Sequence, residues 1–192
     1  PVEIVKSATG QTHLVIGDAH AAPGQNLERF TFLSKMIRDL RPDVVICIGD
    51  FADMPALSSF DKGKKAYEGR RYTEDIKAAN EALRLLHKDI DEHNHFFTSQ
   101  NTDRAISGVS AARSLVNKKH MSCVVGHSHL LNHWTTTAGE RRLHGLVVGW
   151  YCDVYKEYAG QSNTGWWAGI CVLRDVTDGD YDLELWSYKR IK

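Results

Sequence analysis

Three times in this 192-residue chain, a short apolar run ends in glycine and is followed at once by side chains able to hold a metal ion. The runs are His13-Leu14-Val15-Ile16, Val44-Val45-Ile46-Cys47-Ile48 and Met121-Ser122-Cys123-Val124-Val125. They close on Gly17-Asp18-Ala19-His20, Gly49-Asp50-Phe51-Ala52-Asp53 and Gly126-His127-Ser128-His129. A continuous apolar run bounded by turn residues reads as a strand buried on both faces. Glycine there lets the backbone turn sharply and approach a ligand closely. In open α/β sheets the ligand sits beyond the carboxyl ends of the strands. Three parallel strands are therefore expected to bring Asp18, His20, Asp50, His127 and His129 to one edge.

Between these runs the periodicity becomes helical. Leu27, Phe30, Leu33, Met36, Ile37 and Leu40 recur at three- and four-residue steps, and Pro42 stops the pattern. Thr73 is expected to cap a helix from Glu74 to about Glu92, with Ile76, Ala79, Leu83, Leu86 and Ile90 inward. A shorter helix is expected over Val109 to Asn117. The last third reads as strands: His144 to Trp150, Trp166 to Leu173 and Tyr181 to Tyr188, with a hairpin at Asp178-Gly179 in a loop longer than two residues. The predicted fold is a single α/β domain over 1–192, a layered sandwich with parallel N-terminal strands and antiparallel C-terminal strands.

Composition narrows the function classes. Lysine plus arginine balance aspartate plus glutamate at 24 each, which argues against a broad basic surface for gripping nucleic acid. No apolar run approaches the ~18 residues of a membrane span. The opening Pro1-Val2-Glu3-Ile4-Val5-Lys6 lacks the pattern of a signal peptide. Cys47, Cys123, Cys152 and Cys171 form no C-x-x-C pair and read as small core residues in a reducing cytoplasm. Ten histidines are the unusual count, and the glycine-ended runs account for several of them.

A lone Gly-Asp is a common turn, but Gly-His-x-His after a buried strand is a poor core sequence. A mixed carboxylate and imidazole set suits Mn, Fe, Zn or Ni better than Mg or Ca, which prefer all-oxygen shells. With D-x-H, G-D-x-x-D and G-H-x-H in this order, the chain resembles the calcineurin-like metallophosphoesterases, and most of all their phage and bacterial members. The motifs span about Thr12 to His129. The resemblance implies a two-layer β-sandwich flanked by helices, two divalent ions with Mn foremost, and a metal-bridging hydroxide that attacks phosphorus. It also implies that Asp18, His20 and His129 hold one ion, that Asp50 bridges the pair and that His127 helps to hold the second. Asp53 would orient a ligand from behind.

One motif of that family, Gly-Asn-His-Asp/Glu, is absent from the sequence, so no residue is assigned as the general acid. Asn94-His95 and His120 offer two assignments. Either Asn94-His95 is a degenerate third motif and His120 is the family's single fourth-motif histidine, or His95 is itself that histidine and a metal ligand. The second is preferred, because His120 lies immediately before a strand, on the wrong side of the sheet. It implies that a third motif and its strand are missing between about 93 and 95, where a long helix is expected to run into a strand without turn residues. His93-Asn94-His95 is not read as an HNH nuclease motif. His87 and Asp91 read as an exposed hydrogen-bonded pair.

Lys62, Lys64, Lys65, Arg70 and Arg71 gather just after G-D-x-x-D, among Phe60, Tyr67 and Tyr72. Basic side chains interleaved with aromatics suit phosphate charge and base stacking. Lys64, Lys65, Arg70, Arg71 and, beyond His95, Arg104 are the candidate substrate contacts, for DNA or a nucleotide. The expected activity is a phosphodiesterase or nuclease. The alternatives are a phosphomonoesterase acting on protein or nucleotide, and a catalytically impaired metal-binding scaffold.

Overall fold

A computed structural model describes residues 10–58, 62–63, 68–98, 108–153, 156, 159–161 and 165–192. In chain order the elements are β1 (Gln11–Ile16), α1 (Glu28–Leu40), β2 (Val44–Cys47), α2 (Tyr72–Leu86), β3 (His95–Thr98), α3 (Ala111–Lys119), β4 (Cys123–Val125), β5 (Leu131–Ala138), β6 (Arg141–Val148), β7 (Gly169–Thr177), β8 (Asp180–Ser187) and α4 (Tyr188–Ile191). The protein is mixed α/β with two sheets. One has five strands in the order β3-β2-β1-β7-β8, and the other has three in the order β4-β6-β5.

The side-chain alternation of the strands assembles the layers. On β1, Leu14 and Ile16 face α1 and α2, packing with Phe30, Leu33, Ile37, Ala82 and Leu86. Val15, between them, faces the other way and joins Leu146 and Val148 of β6 and Cys171 and Leu173 of β7. Val147, the outward neighbour on β6, packs under Ala111 and Ala112 of α3. The two sheets thus face each other, with helices covering the outer faces. Parallel pairing of β1 with β2 and of β2 with β3 matches the expected parallel front. The hairpins β5/β6 and β7/β8 supply the antiparallel portion.

Several expectations need correction. The strand that ends in Gly126-His127 is β4, and it pairs with β6 in the three-stranded sheet rather than with β1 and β2. Strand β5 was not foreseen, because its Thr135-Thr136-Thr137 stretch exposes alternate residues and lacks an apolar run. Thr177 pairs with Asp180, so the last hairpin closes through two residues, Asp178 and Gly179, both with positive φ.

Helix α2 begins at Tyr72 without a side-chain cap from Thr73, ends at Leu86 rather than near Glu92, and passes into a 3-10 turn over His87–Asp89. The junction before β3 is then a turn built by Asp91 and Asn94. The Asp91 N–H donates to Asn94 Oδ1 (3.0 Å) and the His93 N–H donates to Asp91 Oδ1 (2.9 Å). Asn94 Nδ2 donates to the Pro42 carbonyl (2.6 Å), which fixes the turn beside the entry to β2. Turn chemistry is therefore present, and the ground for expecting a missing segment at 93–95 does not hold.

Candidate metal centre

Backbone bonds carry the β1 and β2 pairing past the strand ends. His20 N–H donates to the Asp50 carbonyl (2.9 Å) and Ala21 N–H to that of Phe51 (2.8 Å). The Tyr151 N–H, beyond β6, donates to the Asp18 carbonyl (3.0 Å), and the Trp167 N–H donates to that of His129 (3.0 Å). Strand ends of both sheets are thereby drawn together, and the metal-capable residues meet between the sheets rather than along one edge.

Asp18 is at the middle. It is fully buried, and its carboxylate accepts backbone N–H bonds from Asp50 (3.0 Å, Oδ1) and His127 (2.5 Å, Oδ2). Two glycines make room for it. A Cβ on Gly49, where φ is +92°, would strike the carboxylate, and one on Gly126 would lie 2.9 Å from Oδ2. Among the described residues, two groups of side chains can converge on a cation: Asp18, His20 and His129, and Asp18, Asp50 and His127. Asp18 stands in both groups, and Asp50, the expected bridge, in the second.

The ring orientations follow from the partners. Asp53 Oδ1 lies 2.6 Å from His20 Nδ1, and Lys156 Nζ donates to Asp53 Oδ2 (2.6 Å). Burial alone would raise the Asp53 carboxyl, but hydrogen bonds and charge from His20 and Lys156 outweigh it and hold it at about 2. The anionic Asp53 holds the His20 ring by Nδ1, so its Nε2 faces inward, 3.0 Å from His129 Nε2. Burial, reinforced by His20, His127 and Lys156, pushes His129 down to about 3, so that ring is neutral. Its Nε2 lies 3.8 Å from Asp18 Oδ1. Burial likewise raises Asp18, against the two backbone N–H bonds.

These donors fit a divalent cation. His20 Nε2, His129 Nε2 and the Asp18 carboxylate lie within reach of one point. In the second group, His127 Nδ1 is buried without a hydrogen bond, 3.3 Å from Asp50 Oδ2. Trp150 stacks on the His129 ring (5.2 Å, 21°) and Trp166 meets it edge-on (4.2 Å), which fixes its plane and keeps water off it.

His95 is not brought there. It pairs with Val44, at the amino end of β2, while Asp50 lies beyond the carboxyl end, and its side chain is exposed. His95 thus stands on the entry side of its strand, as His120, which ends α3, stands on that of β4. His87 packs edge-on against Phe96 (4.3 Å) rather than pairing with Asp91. Arg70 and Arg71 line a cleft that starts at Asp53. Lys64, Lys65 and Arg104 lie outside the described residues.

Two supporting residues were missed by the sequence reading. Lys156 sits in the irregular stretch after β6, where no pattern marks it. Arg29, 2 % exposed, occupies a core-facing position of α1 and holds the 19–26 loop through the carbonyls of Ala19 (2.9 Å), His20 (3.3 Å) and Asn26 (2.8 Å) and Gln25 Oε1 (2.9 Å). A charged residue in an apolar helical stripe was the available signal. No protein-family model matches this chain, and no curated protein matches it either.

Proposed function

We propose that this chain is a metal-dependent phosphoester hydrolase of the calcineurin-like type, acting on phosphodiesters or nucleic acid. The observation that carries the reading is the pair of ligand groups sharing Asp18 where the two sheets meet. The order of D-x-H, G-D-x-x-D and G-H-x-H along the chain supports it. Asp18, His20 and His129 would hold one ion, and Asp18, Asp50 and His127 the other. Mixed nitrogen and oxygen donors suit Mn, Fe, Zn or Ni, and the family resemblance puts Mn first. When bound, such ions supply Lewis acidity toward a phosphoryl oxygen and make water a usable nucleophile at neutral pH.

The protein's own residues prepare that chemistry. Asp53 holds the His20 ring and Lys156 keeps Asp53 anionic, an outer layer of the kind that tunes ligand basicity. Trp150 and Trp166 exclude water from one side. Asp50 and His127 are less buried than Asp18, so the open side of the centre is theirs.

The test is turnover of bis-p-nitrophenyl phosphate with Mn²⁺, together with a thermal shift. Saturation at 100 times Kd stabilises by about 2.7 kcal/mol, roughly 5–11 °C for a chain of this size. Asp50→Asn should lower turnover by at least about 100-fold and shrink the shift. Faster turnover of p-nitrophenyl phosphate would make the enzyme a monoesterase, and a shift without turnover a metal-binding scaffold. Neither shift nor turnover with Mn, Fe, Zn or Ni would refute the reading.

A further inference from the structure

A cleft of about 350 Å³ opens beside the metal centre, between the 22–25 loop, Asp53, Pro55 and the start of α2. It begins at Asp53, whose carboxylate touches His20 at 2.6 Å, so a group bound at the ligand residues has this space next to it. The volume is at the lower end of the ~300–1,000 Å³ of small-molecule pockets. It has room for one small organic unit and none for a duplex. Ala22, Pro23 and Pro55 give it apolar walls suited to a sugar or a base face.

Its charges decide the sign of the ligand. Every carboxylate on the wall is already engaged: Asp53 with Lys156 and His20, Asp75 with the Ala56 N–H (2.9 Å), Glu74 with Lys77 (2.8 Å). Arg70 is braced through Nη1 on the Pro55 carbonyl (3.1 Å). Arg71 is exposed and forms no ion pair among the described residues. Arg71 thus puts on the cleft wall a guanidinium with no ion pair among the described residues, and its planar fork matches a phosphate.

We propose that this cleft takes the nucleoside of a single-stranded nucleotide diester, with the neighbouring phosphate on Arg71. The placement of the reacting phosphate at the metal residues rests on the hydrolase reading above; the cleft's affinity for a nucleotide does not. The substrate is then a diester flanked by a second phosphate, as in an oligonucleotide, rather than an isolated small ester.

The experiment is calorimetric titration of thymidine 3′,5′-bisphosphate into the whole metal-free protein in chelator, beside inorganic phosphate and thymidine. The bisphosphate should bind more tightly than either. Arg71→Ala should weaken it by about tenfold, the scale of one charge-assisted contact. Because Arg71 is exposed, circular dichroism and melting of that variant should match the wild type, so a loss reads binding and not folding. Equal affinity in wild type and Arg71→Ala, inorganic phosphate bound as tightly as the bisphosphate, or no binding at all would each overturn the proposal. Arg71-dependent binding in a protein inert toward bis-p-nitrophenyl phosphate with every metal would instead leave the cleft standing and remove the hydrolase reading.

Discussion

Arg29→Met is the perturbation that tests how the metal loop is held. The guanidinium is buried beneath residues 19–26, and its two terminal nitrogens serve four acceptors. Three of the contacts are short, 2.8–2.9 Å, and the fourth, to the His20 carbonyl at 3.3 Å, shares a nitrogen with two others. Methionine keeps most of the apolar stem but donates nothing and loses the guanidinium carbon that lies 4.8 Å from the Phe30 ring centroid. With about 1 kcal/mol for each of the three short bonds, the loss is roughly 3 kcal/mol. Two opposing effects adjust it. The buried Ala19 and His20 carbonyls become orphans, which adds to the cost, while a charge no longer has to be desolvated, which subtracts. A net loss of about 2–4 kcal/mol lowers Tm by roughly 4–16 °C at 2–4 °C per kcal/mol. His20 is also released from its anchored backbone, so Mn²⁺ affinity should fall about 10–100-fold, as for other groups that support a ligand. Urea melts give the stability and calorimetry gives the affinity. Arg29→Lys separates charge from geometry. Its compact ammonium cannot span acceptors on two sides of the loop, so it should recover less than half of the loss. An Arg29→Met protein with unchanged melting midpoint and unchanged metal affinity would refute the argument.

Two further outcomes follow from placement and backbone conformation. His95→Ala should leave Mn²⁺ affinity within about twofold of wild type, since the residue stands at the far end of β2; a tenfold loss would show that His95 reaches the centre. His127 has φ +72°, where a side chain costs about 1–2 kcal/mol. His127→Gly and His127→Ala delete the same imidazole and should lose metal binding alike, but the glycine variant should be the more stable by about 1 kcal/mol in urea. An alanine variant as stable as the glycine one would mean that this backbone is not strained.

The strands and first helix were legible because burial on two faces leaves an unbroken apolar run and burial on one face leaves a 3.6-residue stripe. Strand β2 and helix α1 fall within two residues of where those patterns put them. Strand β5 was hidden, since a strand with one solvated face and threonines outward has no apolar run to display. The partner of β4 was equally hidden. A three-residue strand pairs according to where its neighbours leave an edge, and nothing in Cys123–Val125 specifies β6 over β1. At the centre, Asp18, His20, Asp50, His127 and His129 were legible from their spacing after glycine, and Asp53 from its motif. His95 went wrong for one reason. A strand adjoining a histidine says nothing about which end of the sheet that histidine occupies, and the turn at Asp91 and Asn94 puts His95 at the entry.

The geometry of Asp18 ties chemistry to architecture. One carboxylate oxygen accepts from Asp50, at the end of a strand in the five-stranded sheet, and the other from His127, at the end of a strand in the three-stranded sheet. The same group that two cations would share therefore also fastens the two sheets. Three of the eight non-glycine residues with positive φ among those described are His20, His127 and His129. At about 1–2 kcal/mol each, that conformation costs roughly 3–6 kcal/mol in the absence of a ligand. Packing alone gives no reason for strain to collect on three imidazoles within reach of one buried carboxylate. A cation would give one, because binding would repay the strain in the folded state only, where ligands from both sheets are already assembled. Metal binding should thus act on the interface between the sheets as much as on the reaction, and the centre is where the sandwich is closed.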